Sequence, residues 1–304
     1  MTSVAETLER LRLDRAHGAG WLSREAVRGL ARAVESNPAG TSSDLLTYLR
    51  RTARAFALAR PSMAPLANIV AFTLDRVLSQ SDGASVADIH RLVRSAAEEA
   101  ARLSAEANDA AAAHAQEYLS GTVMTHSYSS TVLAALTGAR DRIEHVVVTE
   151  SRPLYEGRAV AREMAAAGLR VSLITDAQMG VLIREARVAV VGADSVLRDG
   201  SVVNKAGTSL LALAARAAGV PFYVVAETLK IAPWPAREIQ LEDNDAGEVV
   251  SDVPPGVRVR NIYFDRTPAR LVTGLITEQG LLTRQQVREL ARAHRARFRL
   301  VLEG

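Results

Sequence analysis

The sequence predicts an α/β protein: a helical N-terminal domain, residues 1–118, followed by a doubly wound parallel-sheet domain, residues 119–304. Apolar residues recur at helical spacing from Val4 to about Leu119. After Gly121 short β-branched runs take over, most of them separated by helical patterns. Those runs are continuously apolar, as expected of parallel strands covered on both faces.

The helical half opens with Val4, Leu8 and Leu11, and continues through Leu22, Val27 and Leu30 after a Gly-containing break. Thr41, Ser42, Ser43 and Asp44 offer caps for a helix running through Leu45, Leu46 and Leu49 toward Phe56. Pro61 and Pro65 punctuate the chain before a helix from Leu66 to Leu78. Ser85 to Leu103 reads as a long Ala-rich helix, and Ala105 to Gln116 extends it. Strands are expected at Thr122–Met124, His145–Thr149, Val171–Thr175, Val188–Val191 and Pro221–Ala226. Helices are expected at Arg158–Ala167, Gln178–Arg184 and Thr208–Ala218. The acidic, then Pro-rich stretch Asp243–Pro255 reads as an exposed loop.

Composition excludes several classes of function. With 48% apolar and 23% charged residues the chain is globular. It has no cysteine, so disulfides, thiolate zinc sites and thiol catalysis are ruled out. The first twenty residues carry charges throughout, and no segment approaches the roughly 20 apolar residues of a membrane span. A cytoplasmic protein is expected. The net charge of +3 is small, and arginines interspersed with acids give no reason to expect nucleic-acid binding. Asp and His residues are too scattered for metal-ligand spacing, and no metal or cofactor is expected. Neither a Walker A loop nor G-x-G-x-x-G occurs.

Chemistry-bearing residues follow the strands, where open α/β sheets bind ligands. Thr125-His126-Ser127-Tyr128-Ser129-Ser130-Thr131 leads into a helix start, an anion site or simply a set of caps. Arg152 after Thr149 either clamps an anion or pairs with Glu150 or Glu156. Asp194 follows Val188–Val191 as an acid or a turn residue. Asn204 and Lys205 come after a turn at Asp199-Gly200, and Lys230 follows Glu227. Lys205 and Lys230 are the only two lysines in the chain.

These segments resemble the alpha, beta and delta regulatory subunits of initiation factor 2B and the sugar-phosphate isomerases of the same superfamily. The resemblance rests on Met124–Ser129, on Thr149-Glu150-Ser151-Arg152-Pro153 with Gly157, and on Val191–Asp194. It continues through Asn204–Thr208, Ala226–Lys230, Asn261–Asp265 with Thr267-Pro268, and Ile276–Gly280. His17-Gly18-Ala19-Gly20 resembles a phosphate-binding Arg-Gly-Ala-Gly segment, and Arg60-Pro61-Ser62 leading to Leu66 and Asn68 resembles a second ligand segment; both lean toward ribose-1,5-bisphosphate isomerase.

The resemblance implies a helical domain leaning over a Rossmann-like domain, a phosphorylated ribose or nucleoside monophosphate between them, and a homodimer or higher homo-oligomer. It implies catalysis by Asp194 with a cysteine after the Thr-His pair, a place that Ser127 occupies here. A serine hydroxyl is a far weaker acid than a thiol. His126, a conceivable base, should point to the opposite side of an extended segment. His17, Gly18, Ala19, Gly20, Arg60, Ser129, Ser130, Thr131, Arg152, Asn204, Lys205 and Lys230 are the expected ligand-binding residues. Two readings follow: an aldose–ketose isomerase of a ribose 1-phosphate, or a non-catalytic sensor resembling the alpha subunit of initiation factor 2B. A partner-binding translation subunit with an empty pocket comes third.

Overall fold

A computed structural model describes residues 4–14, 17–234, 241, 243–253 and 255–303. The described chain opens with α1 (Val4–Leu13), α2 (Ala19–Glu35), α3 (Ser42–Ala57), α4 (Ala64–Leu78) and α5 (Val86–Ala115). The Thr41 side chain caps α3 by accepting from the Asp44 amide, and Ser85 and Asp88 form a reciprocal capping box at α5. The two Ala-rich segments expected after Ser85 are one continuous helix, because nothing between Leu103 and Ala105 breaks it.

The second part contains β1 (Gly121–Thr125), α6 (Ser130–Gly138), β2 (Ile143–Thr149), α7 (Gly157–Ala166) and β3 (Val171–Ile174). Next come α8 (Met179–Leu182), β4 (Val188–Val191), β5 (Ser195–Val196), β6 (Val202–Lys205), α9 (Thr208–Ala218) and β7 (Phe222–Val225). The chain closes with β8 (Phe264–Thr267), β9 (Gly274–Thr277), β10 (Gly280–Leu282) and α10 (Arg284–Leu302). The main sheet has the order β10-β9-β7-β4-β1-β2-β3, parallel throughout except at the β9–β10 pair. Strands run outward in both directions from β1, the doubly wound arrangement.

Two features depart from the sequence reading. The helix expected over Gln178–Arg184 is the single turn α8 flanked by 3-10 turns, since Gly180 interrupts its apolar pattern. A second, antiparallel sheet, β5-β6-β8, was not anticipated. Its strands are two to four residues long and β8 lies far from β5 and β6 in sequence, so no local periodicity announces them. The loop expected at Asp243–Pro255 is mostly irregular, with a 3-10 turn at Ala246–Glu248; Pro254 lies outside the described residues.

Two helices stitch the halves together. The start of α5 buries Ile89, Val93 and Ala97 among the N-terminal helices, while Ala111, Ala112 and Ala115 pack beneath the sheet with Val123 and Val146. In α10, Val287 and Ala291 belong to the sheet's other face, and Phe298 and Val301 to the helical core. Polar ties fix the same contact. Ser195 Oγ donates to the Ser62 carbonyl at 2.7 Å, and Asn68 Nδ2 donates to the Leu229 and Ile231 carbonyls at 2.6 and 2.7 Å. These bonds set α4 and the loop before it against β5 and the segment after β7.

Candidate functional site

In a doubly wound sheet the strand order reverses between neighbours, leaving a crevice at their carboxyl ends. Here the reversal falls between β1 and β4, which pair in parallel. A cavity of about 390 Å³ opens there. The helical layer supplies Asp14, His17 and Gly18 from the α1–α2 connection and Arg60 and Met63 from the loop before α4. The sheet layers supply Ser127 and Tyr128, Leu154, Glu156, Ala159 and Glu163, and Asp194, Lys205, Tyr263 and Phe264.

Glu156 is the hub. One carboxylate oxygen accepts from the Ser127 hydroxyl and from the Tyr128 amide, the latter at 3.2 Å. The other lies 2.9 Å from Lys205 Nζ. Lys205 also faces the Tyr263 ring, 4.8 Å from its centre, so its ammonium is held from two sides. Asp194 closes the ring of charges. Desolvation pushes its carboxyl above the usual range and the Glu156 charge adds to this, while Lys230, Lys205 and Arg60 pull the other way. A carboxyl raised by burial holds a proton more readily than an ordinary one and can pass it to a substrate oxygen.

His126 points inward, as expected, and takes no part in the cavity lining. Its Nε2 lies 2.9 Å from the Ala206 carbonyl, which only accepts; Nε2 therefore carries the proton and Nδ1 accepts from Thr149 Oγ1 at 2.5 Å. Burial lowers its pKa and keeps it neutral, despite Asp176, Glu156 and Asp265 nearby. The Ser127 amide donates to Ser151 Oγ at 2.9 Å, and the Ser151 and Arg152 amides donate to Asp176 at 2.8 Å each. Gly207 tolerates φ +111, and a Cβ there would sit 2.8 Å from the His126 ring. Asp265 accepts from the Gly207 amide at 2.8 Å and from the Ser209 amide, fixing the turn that follows Lys205.

Comparison with known proteins gives this crevice a lineage. Residues 15–284 match the Initiation factor 2 subunit family. The chain belongs to that family. A putative translation initiation factor eIF-2B subunit 2-like protein of Pyrococcus horikoshii is 38% identical over 92% of this chain and 96% of its own. The ribose 1,5-bisphosphate isomerase of Haloferax volcanii is 33% identical over 86% of this chain and 83% of its own. The crystal structure of 5-methylthioribose 1-phosphate isomerase from Pyrococcus horikoshii superposes with a TM-score of 0.75 at 25% identity, covering 99% of this chain and 88% of that one. Initiation factor 2 subunit relatives thus include both factor-like proteins and sugar-phosphate isomerases.

Of the residues the sequence singled out in this family member, His17, Gly18, Arg60, Ser127, Asp194 and Lys205 line the one cavity. The others do not line it. Ser129 caps α6 by accepting from the Val132 amide, Ser130 is exposed, and Thr131 Oγ1 donates to Asn108 on α5. Arg152 does not pair with Glu150 or Glu156. Its guanidinium donates to the Tyr155 hydroxyl and, at 2.6 Å, to the Val249 carbonyl; Arg158 is the residue that meets Glu150, at 3.5 Å. Asn204 donates to Thr208 Oγ1 at 2.9 Å, and Ala19 and Gly20 begin α2. Lys230 Nζ sits 3.5 Å from Glu227 and acts on Asp194 through its charge.

Sequence reasoning missed Glu156, Asp14, Tyr128, Glu163 and the ring pair Tyr263–Phe264 as site residues. Glu156 precedes the Gly157 of the family block, and Tyr128, Tyr263 and Phe264 stand inside segments that carry the family resemblance, so a signal existed for these four. Asp14 and Glu163 carry none. No helix among the described residues is long and apolar enough to cross a membrane, and no described cluster of acids and histidines has the makings of a metal site.

Proposed function

We propose that the cavity binds a phosphorylated ribose and isomerises an aldose 1-phosphate to a ketose. The observation that carries this reading is Asp194, a carboxyl raised by desolvation, facing Ser127, Glu156 and Lys205 in one cavity at the strand-order reversal. The relatives that are sugar-phosphate isomerases support it.

Phosphate is bound at the α2 end. Gly18 is the N-cap of α2 and no side chain caps that helix, so backbone N–H groups and the helix dipole face His17 and Arg60 at the cavity wall. Lys205 supplies a second cation deeper in. The reaction is balanced within the substrate: a hydrogen moves from C2 to C1, the 2-hydroxyl gives up its proton, and the ring oxygen gains one. Asp194 carries the proton to the ring oxygen. Proton NMR with ribose 1,5-bisphosphate in D₂O tests this, with loss of the anomeric signal and formation of ketose expected. An unchanged spectrum at saturating ligand overturns the isomerase reading.

A second reading is a sensor that binds without turnover. It is favoured by one observation: the Ser127 hydroxyl, at the place where the resemblance calls for a thiol, already donates to Glu156. Line broadening without conversion in the same spectra is its expected outcome. We also propose a homodimer, supported by Val181, Leu210 and Leu213, which are 71%, 61% and 49% exposed on α8 and α9. Sedimentation as a monomer at micromolar concentration rejects it.

A further inference from the structure

Glu156 belongs to none of the roles assigned so far, yet the backbone goes to unusual lengths to present it. Ser127, Ser151 and Tyr155 adopt left-handed backbone angles, with φ 69, 60 and 56, and they are the only non-glycine residues to do so among those described. All three lie in the two loops that bring Glu156 to Ser127. The next residue, Gly157, is pressed so tightly against β2 that a Cβ on it would sit 1.8 Å from the Thr149 carbonyl oxygen. Left-handed non-glycine residues persist only where their surroundings over-determine them, and they cluster at functional sites.

The electrostatics are arranged in the same sense. Two carboxyl groups face one cavity with different surroundings. Asp194 is desolvated, whereas Glu156 has an ammonium 2.9 Å away and a backbone amide at 3.2 Å. Environments that differ in this way divide acid and base roles between two carboxyls.

We propose that Glu156 is the second acid–base group of the site, accepting the substrate 2-hydroxyl proton through the Ser127 hydroxyl while Asp194 protonates the ring oxygen. The proposal rests on the isomerase reading and deepens it. In the step, the 2-hydroxyl proton passes to Ser127 Oγ as the Ser127 proton passes to the Glu156 carboxylate. The hydrogen on C2 moves to C1, and Asp194 loses its proton to the ring oxygen. One proton then returns from Glu156 to Asp194 through solvent, and the site is reset. Ser127 never becomes an alkoxide, so its weak acidity does not stop the chemistry.

The groups facing Glu156 are Lys205 from β6, Asp194 from the β4 end and Arg60 and Asp14 from the helical layer. Glu163 lies on its own helix, and His17 and His126 complete the set. The test is the pH dependence of ribose 1,5-bisphosphate conversion, from about pH 5 to 9, for the full chain, Glu156→Gln, Glu156→Asp and the pair Ser127→Cys with Glu156→Gln. A carboxylate acceptor must be ionised, so the rate falls toward acid pH. Glu156→Gln is expected to slow turnover by about 100-fold or more and to abolish that acid limb. Glu156→Asp keeps the limb, and Ser127→Cys restores rate on the Gln background because a thiol ionises by itself. Conversion by Glu156→Gln at the wild-type rate, or at a reduced rate with the acid limb intact, overturns the role of Glu156 and leaves the isomerase reading standing. Absence of conversion by the unmodified chain overturns both.

Discussion

Lys205 places its ammonium 2.9 Å from the Glu156 carboxylate, with the two side chains only 8% and 20% exposed. β6 delivers one partner and the loop before α7 the other, so this ion pair joins the small sheet to the main one across the cavity floor.

Lys205→Ala is therefore expected to have two effects. Ribose 5-phosphate binding weakens by at least about 10-fold, read by calorimetry, because the deeper cation is gone. Stability falls by about 3 kcal/mol, read by urea unfolding, because Glu156 is left sheltered without its partner. Unchanged affinity removes the placement of the site.

Arg60→Ala acts first on the fold. Arg60 is 5% exposed, and its Nη1 donates to the Leu11, Arg12 and Asp14 carbonyls at 3.2, 3.1 and 3.0 Å. These carbonyls lie at and just after the end of α1, which the guanidinium caps. A loss of about 3 kcal/mol is expected, and a urea midpoint equal to that of the wild type contradicts this role.

Asp194→Asn is expected to abolish conversion while ligand binding persists. Its effect on stability has the opposite sign. The folded-state pKa of Asp194 lies above its unfolded value, so its contribution is fully present below the unfolded carboxylate pKa and is lost as pH rises through the folded one. Above the unfolded-state value the buried carboxyl costs stability, either by taking up a proton on folding or by being desolvated as a carboxylate, and the neutral amide removes that cost. The variant should melt on the order of 2–4 °C higher at pH 8, with the difference vanishing toward pH 4. Turnover equal to the wild type ends the catalytic role.

Stability should also fall on mild acidification. Burial lowers the pKa of His126 and His294 below the usual imidazole value, so the stability they contribute is present above about pH 6.5 and lost as pH drops through the folded-state values. His294 is 8% exposed and its Nδ1 sits 2.8 Å from the Ile231 carbonyl, where Arg297 also disfavours a second proton. His294→Gln keeps a donor for that carbonyl and cannot charge. Its urea midpoint should fall less between pH 7 and 5.5 than that of the wild type, and an identical fall counts against the assignment.

The sequence by itself determined the helical first half, the strands β1–β4 and β7 of the main sheet, and the family. Continuous apolar strands between amphipathic helices can be buried only in a doubly wound sheet, and α9 was legible to the residue as Thr208–Ala218 because an apolar stripe and Gly207 and Gly219 bound it. It also brought forward Ser127 and Asp194, because each follows a run of strand residues, and Lys205, because it follows a turn and is one of only two lysines. Tertiary structure alone decided which polar residues share a space. Ser129, Thr131 and Asn204 are spent on helix starts and interhelical contacts, while Glu156 turns inward on a loop of left-handed residues. Local patterning cannot report this. The partners of Glu156 are Ser127, brought beside it by the β1–β2 pairing, and Lys205, carried in by the small sheet, whose β6–β8 pairing is long-range and whose strands are too short to carry a period.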